Sequence, residues 1–264
     1  MTILEKIVKY KRKEVEALKA SVPAAILEKG IHFERPVRSL IEALNDKGST
    51  GIIAEFKRRS PSQGVINDTA RSATVCTGYF GAGAAAVSVL TDNRFFGGSN
   101  NDLLAVRDLC EGPLLRKEFI IEEYQVLESK STGADAILLI ADILSRGEME
   151  NLSYLAGLLR LEVLFEIHDE SGIAKLPEGA SLVGVNSRNL GDFSLNTDLP
   201  DEMAVKLPEG CIMVGESGIE STRSVSGLKS AGYRGFLIGT LFMKESDPAA
   251  ACKRFISELK NEKQ

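Results

Sequence analysis

The stretch FGAGAAAVSVLTD (80–92) decides the fold. It holds Gly81-Ala-Gly83-Ala-Ala-Ala86, this chain's nearest approach to a dinucleotide-binding fingerprint. In that fingerprint the glycines leave a strand and open a helix, so that a pyrophosphate meets the helix N-terminus. Here they lead into the apolar run that ends at Leu90. Glycine at that place suits a helix C-terminus turning into a strand. The same arrangement returns at STGADAILLIAD (131–142) and SAGYRGFLIGTL (230–241), so the chain has a weak internal repeat.

Working outward, short apolar runs recur from residue 51 onward. They are GIIAEF (51–56), AAVSVL (85–90), PLLRKEF (113–119), DAILLI (135–140), LEVLFE (161–166), SLVGVN (181–186), CIMVGE (211–216) and GFLIGT (235–240). Their spacing of roughly 20 to 35 residues fits a strand, a crossover helix and two short loops. Strands with near-continuous apolar character belong to a parallel sheet buried on both faces. Eight such units predict an α/β protein, a (β/α)8 TIM barrel; the open doubly wound sheet is disfavoured because the fingerprint stands in the wrong context. Before the barrel, residues 2–20 read as a helix. Ile3, Leu4, Ile7, Val8, Val15 and Leu18 make its broken stripe, and Thr2 with Glu5 fits a capping box. We expect one domain over 1–264, with 1–48 an N-terminal helical extension and 51–264 the barrel. The helix either only covers apolar surface or helps to close a site, and the sequence leaves both open.

Composition excludes several classes. At 44% apolar and 26% charged, the 264 residues are ordinary globular chemistry. A net charge of −5 disfavours a polyanion binder, so no nucleic-acid partner is expected, though a local phosphate pocket is still allowed. Cys76, Cys110, Cys211 and Cys252 are far apart, and with only His32 and His168 they supply no zinc spacing. Reduced, mostly buried thiols in a cytoplasmic protein are expected, with no metal. No apolar stretch is long enough for a membrane span, and charges interrupt the N-terminus too often for a signal peptide.

Polar residues gather where the apolar runs end: Glu55 and Lys57, Lys117, Glu166, Asn186 and Arg188, then Glu216 and Ser217. A parallel barrel gathers these strand ends around one mouth, where barrel enzymes keep their active sites. Each has a plainer reading. Lys57 sits in a basic loop, Lys117 and Glu166 can form a buried ion pair, Asn186 can cap a turn, and Glu216 can pair with a neighbouring cation. Together they are better explained as a site. Separately, Gly215-Glu216-Ser217-Gly218-Ile219 and Gly239-Thr240 follow the last two runs. In this fold those loops commonly hold a phosphate with backbone N–H groups and a short helix. Glycine allows close approach, and the Ser217 and Thr240 hydroxyls can add donors.

Seven ordered motifs then carry a resemblance. IAEFKRRSPS (53–62), SVLTD (88–92) with FFGGS (95–99), and LLRKEFI (114–120) are similar to indole-3-glycerol phosphate synthase. So are FEIHDE (165–170), VGVNSRNL (183–190), GESGI (215–219) and IGTLFM (238–243). The likeness runs from about residue 50 to 245, and the first 50 residues match loosely as the family's extra helix.

This resemblance implies closure of a carboxyphenylamino-deoxyribulose 5-phosphate to indole-3-glycerol phosphate, with loss of carbon dioxide and water, in tryptophan biosynthesis. It implies no cofactor and a phosphorylated small molecule as the only necessary partner, with neither nucleic acid nor membrane involved. A monomer is expected, with any partner enzymes of the pathway unknown. By resemblance Lys117 is the general acid at the ketone. Lys57 and Arg188, with Ser60, hold the departing carboxylate. Glu166 and Lys57 serve the dehydration, and Glu55 and Asn186 orient them. Ser217, Gly218, Gly239 and Thr240 take the phosphate. Glu118 stands where the family more often has Asp, and its extra methylene is expected to affect how Lys117 is held. Two other readings are a phosphoribosyl isomerase barrel and a barrel that binds a sugar phosphate without turnover. The Glu55, Lys57, Lys117 and Glu166 set argues against both.

Overall fold

The computed structural model describes residues 1–189, 191 and 193–262. Eight parallel strands close a barrel: β1 (Ile52–Phe56), β2 (Ala86–Leu90), β3 (Leu114–Lys117), β4 (Ala136–Ile140), β5 (Glu162–Ile167), β6 (Leu182–Asn186), β7 (Ile212–Glu216) and β8 (Gly235–Ile238). Each expected run overlaps one of these strands, and β5 continues one residue past its run, to Ile167. Closure comes from β8 against β1, with Ile53 opposite Leu237 and Ala54 opposite Ile238. The third run overshoots, since Glu118 and Phe119 lie beyond β3. The eighth does too, because Thr240 opens the short helix Thr240–Met243. A two-residue antiparallel ribbon, Arg59–Ser60 with Gly64–Val65, follows β1 and was not expected from the sequence.

The runs look continuous because both faces of every strand are buried, yet the period of two persists beneath. In β4, Ile137 and Leu139 join the core between sheet and helices, while Ala136, Leu138 and Ile140 join the core inside the barrel. The same alternation turns Ile53, Leu115, Leu164 and Val214, from the four odd strands, into the interior. Two residues further along those strands come Glu55, Lys117, Glu166 and Glu216. Layers of four side chains from alternate strands fill barrels of this kind. This barrel therefore ends, at its C-terminal face, in a layer made wholly of ionisable groups.

At the opposite end, helix Leu40–Asn45 plugs the barrel. Leu40 and Leu44 enter the interior core, and Glu162 accepts from the Ser39 hydroxyl and the Ile41 N–H. The N-terminal helix spans Ile3–Ser21 and carries the expected Thr2–Glu5 capping box. Its stripe is interrupted by Lys11, which is buried with its Nζ 3.0 Å from both Asp92 and Glu118. Those carboxylates stand just past the C-terminal ends of β2 and β3. The helix thus braces the rim of the barrel. It contributes no side chain to the cavity wall. No described helix is long and apolar enough to cross a membrane. Cys76, Cys110 and Cys252 are buried and Cys211 half-buried, all as free thiols.

Candidate active site

A cavity of about 510 Å³ opens at the C-terminal ends of the strands. Its floor is the ionisable layer, and Leu90, Phe96, Phe119, Leu138 and Ile140 supply one apolar wall. All eleven residues expected at the site line it: Glu55, Lys57, Ser60, Lys117, Glu166, Asn186, Arg188, Ser217, Gly218, Gly239 and Thr240. Of the VGVNSRNL motif, Leu190 lies outside the described residues.

Lys117 is central. Its Nζ donates to Glu166 Oε2 at 2.8 Å and to Glu216 Oε2. The ion pair that was the plainer sequence reading does form, and it forms as the cavity floor. Burial alone would lower the pKa of this ammonium, but Glu166, Glu216 and Glu55 together raise it above the ordinary lysine value. The amine thus holds its proton firmly.

The two carboxylates beside it behave oppositely. Burial opposes ionisation of Glu166, but Lys117 and then His168 and Asn186 hold it below the usual carboxylate range. Glu166 Oε1 accepts from Asn186 Nδ2 at 3.2 Å, so both of its oxygens are engaged. Glu216 is pushed up, to about 8, by burial and by repulsion from Glu166, against the pull of Lys117. Two buried carboxyls around one ammonium cannot both ionise freely, and the charge is better supported on Glu166, whose two oxygens both have donors, than on Glu216, whose Oε1 has none. The sequence reading noted Glu216 at a strand end and gave it no role. The odd-strand period was the signal that could have placed it with the other three.

Room for Glu216 comes from Gly184, whose φ is ordinary. A Cβ there would lie under 3.0 Å from Glu216 Oε1. Gly184→Ala should therefore displace the Glu216 carboxyl and leave the strand intact. Turnover is expected to fall by about 10²-fold, the scale of a 1 Å misplacement. Steady-state kinetics beside thermal unfolding would check it, and unchanged turnover would show that the position of Glu216 is immaterial. A Cβ at Gly239 would meet Glu55 in the same way. Gly239 thus has a second reason to be small, besides an approaching phosphate.

Around the mouth, Lys57 Nζ pairs with Glu55 Oε1 at 2.7 Å, one residue beyond the end of β1. Ser60 is buried, and its hydroxyl accepts from the Gln63 N–H and meets the Ser62 hydroxyl at 3.3 Å. Arg188 donates from its backbone to Asn186 Oδ1 and from its guanidinium to the Phe193 carbonyl. Ser217 takes the left-handed conformation (φ 63) before Gly218 (φ 71), which turns the chain sharply after β7. Its hydroxyl donates to Asn186 Oδ1 at 2.8 Å, and the Thr240 hydroxyl donates to Gln63 Oε1 at 3.2 Å. Both hydroxyls expected to serve a phosphate thus have protein partners.

Glu118 departs from expectation as well. Its carboxylate points away from Lys117, to Lys11 and to the Thr91 hydroxyl. Lys11 and Arg116 hold it below the usual range despite its burial. Its added length serves the brace to the N-terminal helix, a pairing across 107 residues of chain that the sequence alone did not disclose.

The architecture has wide company among solved structures. The chain is similar to 3-hexulose-6-phosphate synthase from Salmonella typhimurium, with TM-score 0.63 and 13% identity over 80% of this chain and 99% of that one. It is also similar to a mutant tryptophan synthase α-subunit from Pyrococcus furiosus, with TM-score 0.56 and 12% identity over 80% and 97%. At such identity the likeness speaks for the fold alone. Sequence comparison goes further. The family model described as indole-3-glycerol phosphate synthase matches residues 4–255, nearly the whole chain including the N-terminal helix. Proteins of that name from Bacteroides thetaiotaomicron and Laribacter hongkongensis are 42% and 40% identical to this chain. They align over 97% and 94% of it and over 98% and 97% of their own lengths. With barrel, motifs and whole-length relatives in agreement, the chain belongs to the indole-3-glycerol phosphate synthase family.

Proposed function

We propose that the chain catalyses the decarboxylating ring closure of 1-(2-carboxyphenylamino)-1-deoxyribulose 5-phosphate to indole-3-glycerol phosphate. The observation that carries this reading is the protonated Lys117 set between Glu166 and Glu216 on the floor of a half-apolar cavity. In the first step the ring carbon bearing the carboxylate attacks the ketone carbon. The ketone oxygen takes a proton, and Lys117 is the donor. The bond to the carboxylate then breaks, and the electron pair left behind by carbon dioxide restores the aromatic ring. Finally the new hydroxyl leaves as water with a proton from an acid, while a base takes the proton released as the indole double bond forms. Glu166 and Lys57 fill those last two roles, and Glu55 and Asn186 orient them.

The apolar wall at Phe96, Phe119, Leu138 and Ile140 suits the aromatic ring, and Lys57, Arg188 and Ser60 suit its carboxylate. We place the phosphate between residues 215–219 and 239–241, at Ser217, Gly218, Gly239 and Thr240, next to the short helix Thr240–Met243. Backbone N–H groups would dominate there, since the Ser217 and Thr240 hydroxyls already have partners. We further read the chain as a cytoplasmic monomer whose thiols stay reduced.

A fluorescence assay for the indole product tests the activity, and no product from the purified protein would overturn the reading. For the phosphate, Thr240→Val should raise KM only modestly. Gly239→Val should raise it far more and lower kcat as well, because the new side chain both blocks the loop and strikes Glu55. Equal and negligible effects of the two changes on KM would place the phosphate elsewhere.

A further inference from the structure

His168 lies just past β5, behind Glu166, and is not part of the cavity wall. Its ring is buried, with 4% of the side chain exposed, between two carboxylates. Nε2 is 3.3 Å from Glu166 Oε1 and Nδ1 is 3.4 Å from Asp142 Oδ2. Neither ring nitrogen makes an aligned hydrogen bond, so the ring meets the two carboxylates as close charges. Two anions at this range favour the ring that carries a positive charge. Asp142 is one-third exposed and stays in contact with water. The neighbouring charges point the same way. Glu216 reaches the ring through space from β7, and Asp169, next in sequence, caps the helix Glu170–Ile173. Lys117 lies on the far side of Glu166, and Lys175 donates to the Ala141 carbonyl beside Asp142.

We propose that His168 is a positioning residue: a buried imidazolium whose charge holds Glu166 ionised beside Lys117. The inference rests on the catalytic reading of Glu166 given above. Lys117 bonds one Glu166 oxygen and Asn186 the other, and the His168 ring stands 3.3 Å from that second oxygen as a charge without an aligned hydrogen bond. Burial disfavours a charged ring, but Asp142, Glu166 and Glu216 raise its pKa above the ordinary histidine value. His168 thus brings a positive charge to the layer without occupying space that the substrate needs.

The chain has two histidines, His32 and His168, so nitrogen NMR on histidine-labelled protein is simple to read. A His32→Asn variant assigns the signals. At pH 7.5, about a unit above the ordinary histidine pKa, both nitrogens of the His168 ring should still carry protons. A bare ring nitrogen at that pH would overturn the proposal, whatever the protein's activity. The second arm is His168→Asn, which keeps a donor but removes the charge. The acidic limb of its kcat/KM profile should move up by about one unit. Plateau kcat should fall roughly tenfold with KM nearly unchanged, the pattern of a lost charge that acts on chemistry and not on binding. A folded His168→Asn protein with an unmoved limb would show that the ring only packs. If that variant does not fold, the NMR result on the native chain decides alone. Absence of indole product from the native protein would instead remove the catalytic reading and leave the charge of His168 measurable.

Discussion

Replacing Lys117 with Met should reduce turnover by roughly 10²–10⁴-fold, the usual cost of losing a positioned general acid, and more if charge stabilisation at the ketone oxygen goes too. KM should change much less, because phosphate and carboxylate are held by other groups. The same substitution has a stability signature. It leaves Glu166 and Glu216 buried without their shared cation, and removing one partner of a buried pair typically costs about 3–5 kcal/mol. Both carboxyls would then titrate higher in the folded chain than their unfolded value of about 4.3. A folded pKa raised in this way stabilises the fold below the unfolded value, and that support is lost as pH climbs through the folded one. The deficit in melting temperature against the native protein should therefore widen from about pH 5 to pH 8. Lys57→Met, made beside it, removes the paired cation of Glu55 alone, which Lys117 still faces, and should show a smaller part of this pH dependence. Near-normal turnover in a folded Lys117→Met protein would mean that the acid is another residue. Failure to fold at every pH would make Lys117 a structural brace first.

Asp135→Ala should do the reverse, harming stability and sparing chemistry. Asp135 is fully buried at the start of β4, the end of the barrel away from the cavity. Its Oδ1 accepts from Arg35 at 2.5 Å and from the Arg38 N–H at 2.9 Å, and its Oδ2 from Arg107 at 2.7 Å and the Leu114 N–H at 2.8 Å. Burial lowers the Arg107 pKa to about 10 even with this carboxylate beside it. Without Asp135 that guanidinium is a buried charge lacking its counter-ion, which costs about 3–5 kcal/mol. For a chain of this size the melting temperature should drop on the order of 10 °C. Turnover and KM at a temperature where the variant is folded should match the native protein. A shift of less than about 2 °C would show that the arginines find other partners.

Different kinds of information made different parts of this molecule legible. The strands could be found because a buried parallel strand writes itself as a local apolar run, as DAILLI and CIMVGE do. Glu55, Lys57, Lys117, Glu166 and Asn186 could be found because polar groups stand out at the ends of such runs. Most pairings across the chain could not, Lys117 with Glu166 excepted. Nothing near Lys11 announces that a stripe of apolar residues will bury an ammonium against Asp92 and Glu118. His168 entered only as one of two histidines too few for a zinc site and as a letter of the FEIHDE motif, since its meaning depends on Asp142, which lies just past a different strand. The engagement of the Ser217 and Thr240 hydroxyls likewise depends on partners 31 and 177 residues away.

The stacking of layers inside the barrel has a consequence for how such a chain can change. Ile53, Leu115, Leu164 and Val214 form an apolar septum directly beneath Glu55, Lys117, Glu166 and Glu216. Side chains above the septum can be exchanged with little effect on what lies below, because independent sites of this kind contribute nearly additively. The plug at Leu40–Asn45 and the arginine cage around Asp135 belong to the lower compartment. A lineage that swapped the four upper residues for another polar set would inherit the lower compartment ready-made. Provided each step kept the charges of the layer in balance, its trial mutations would be judged on chemistry before they were judged on survival of the fold.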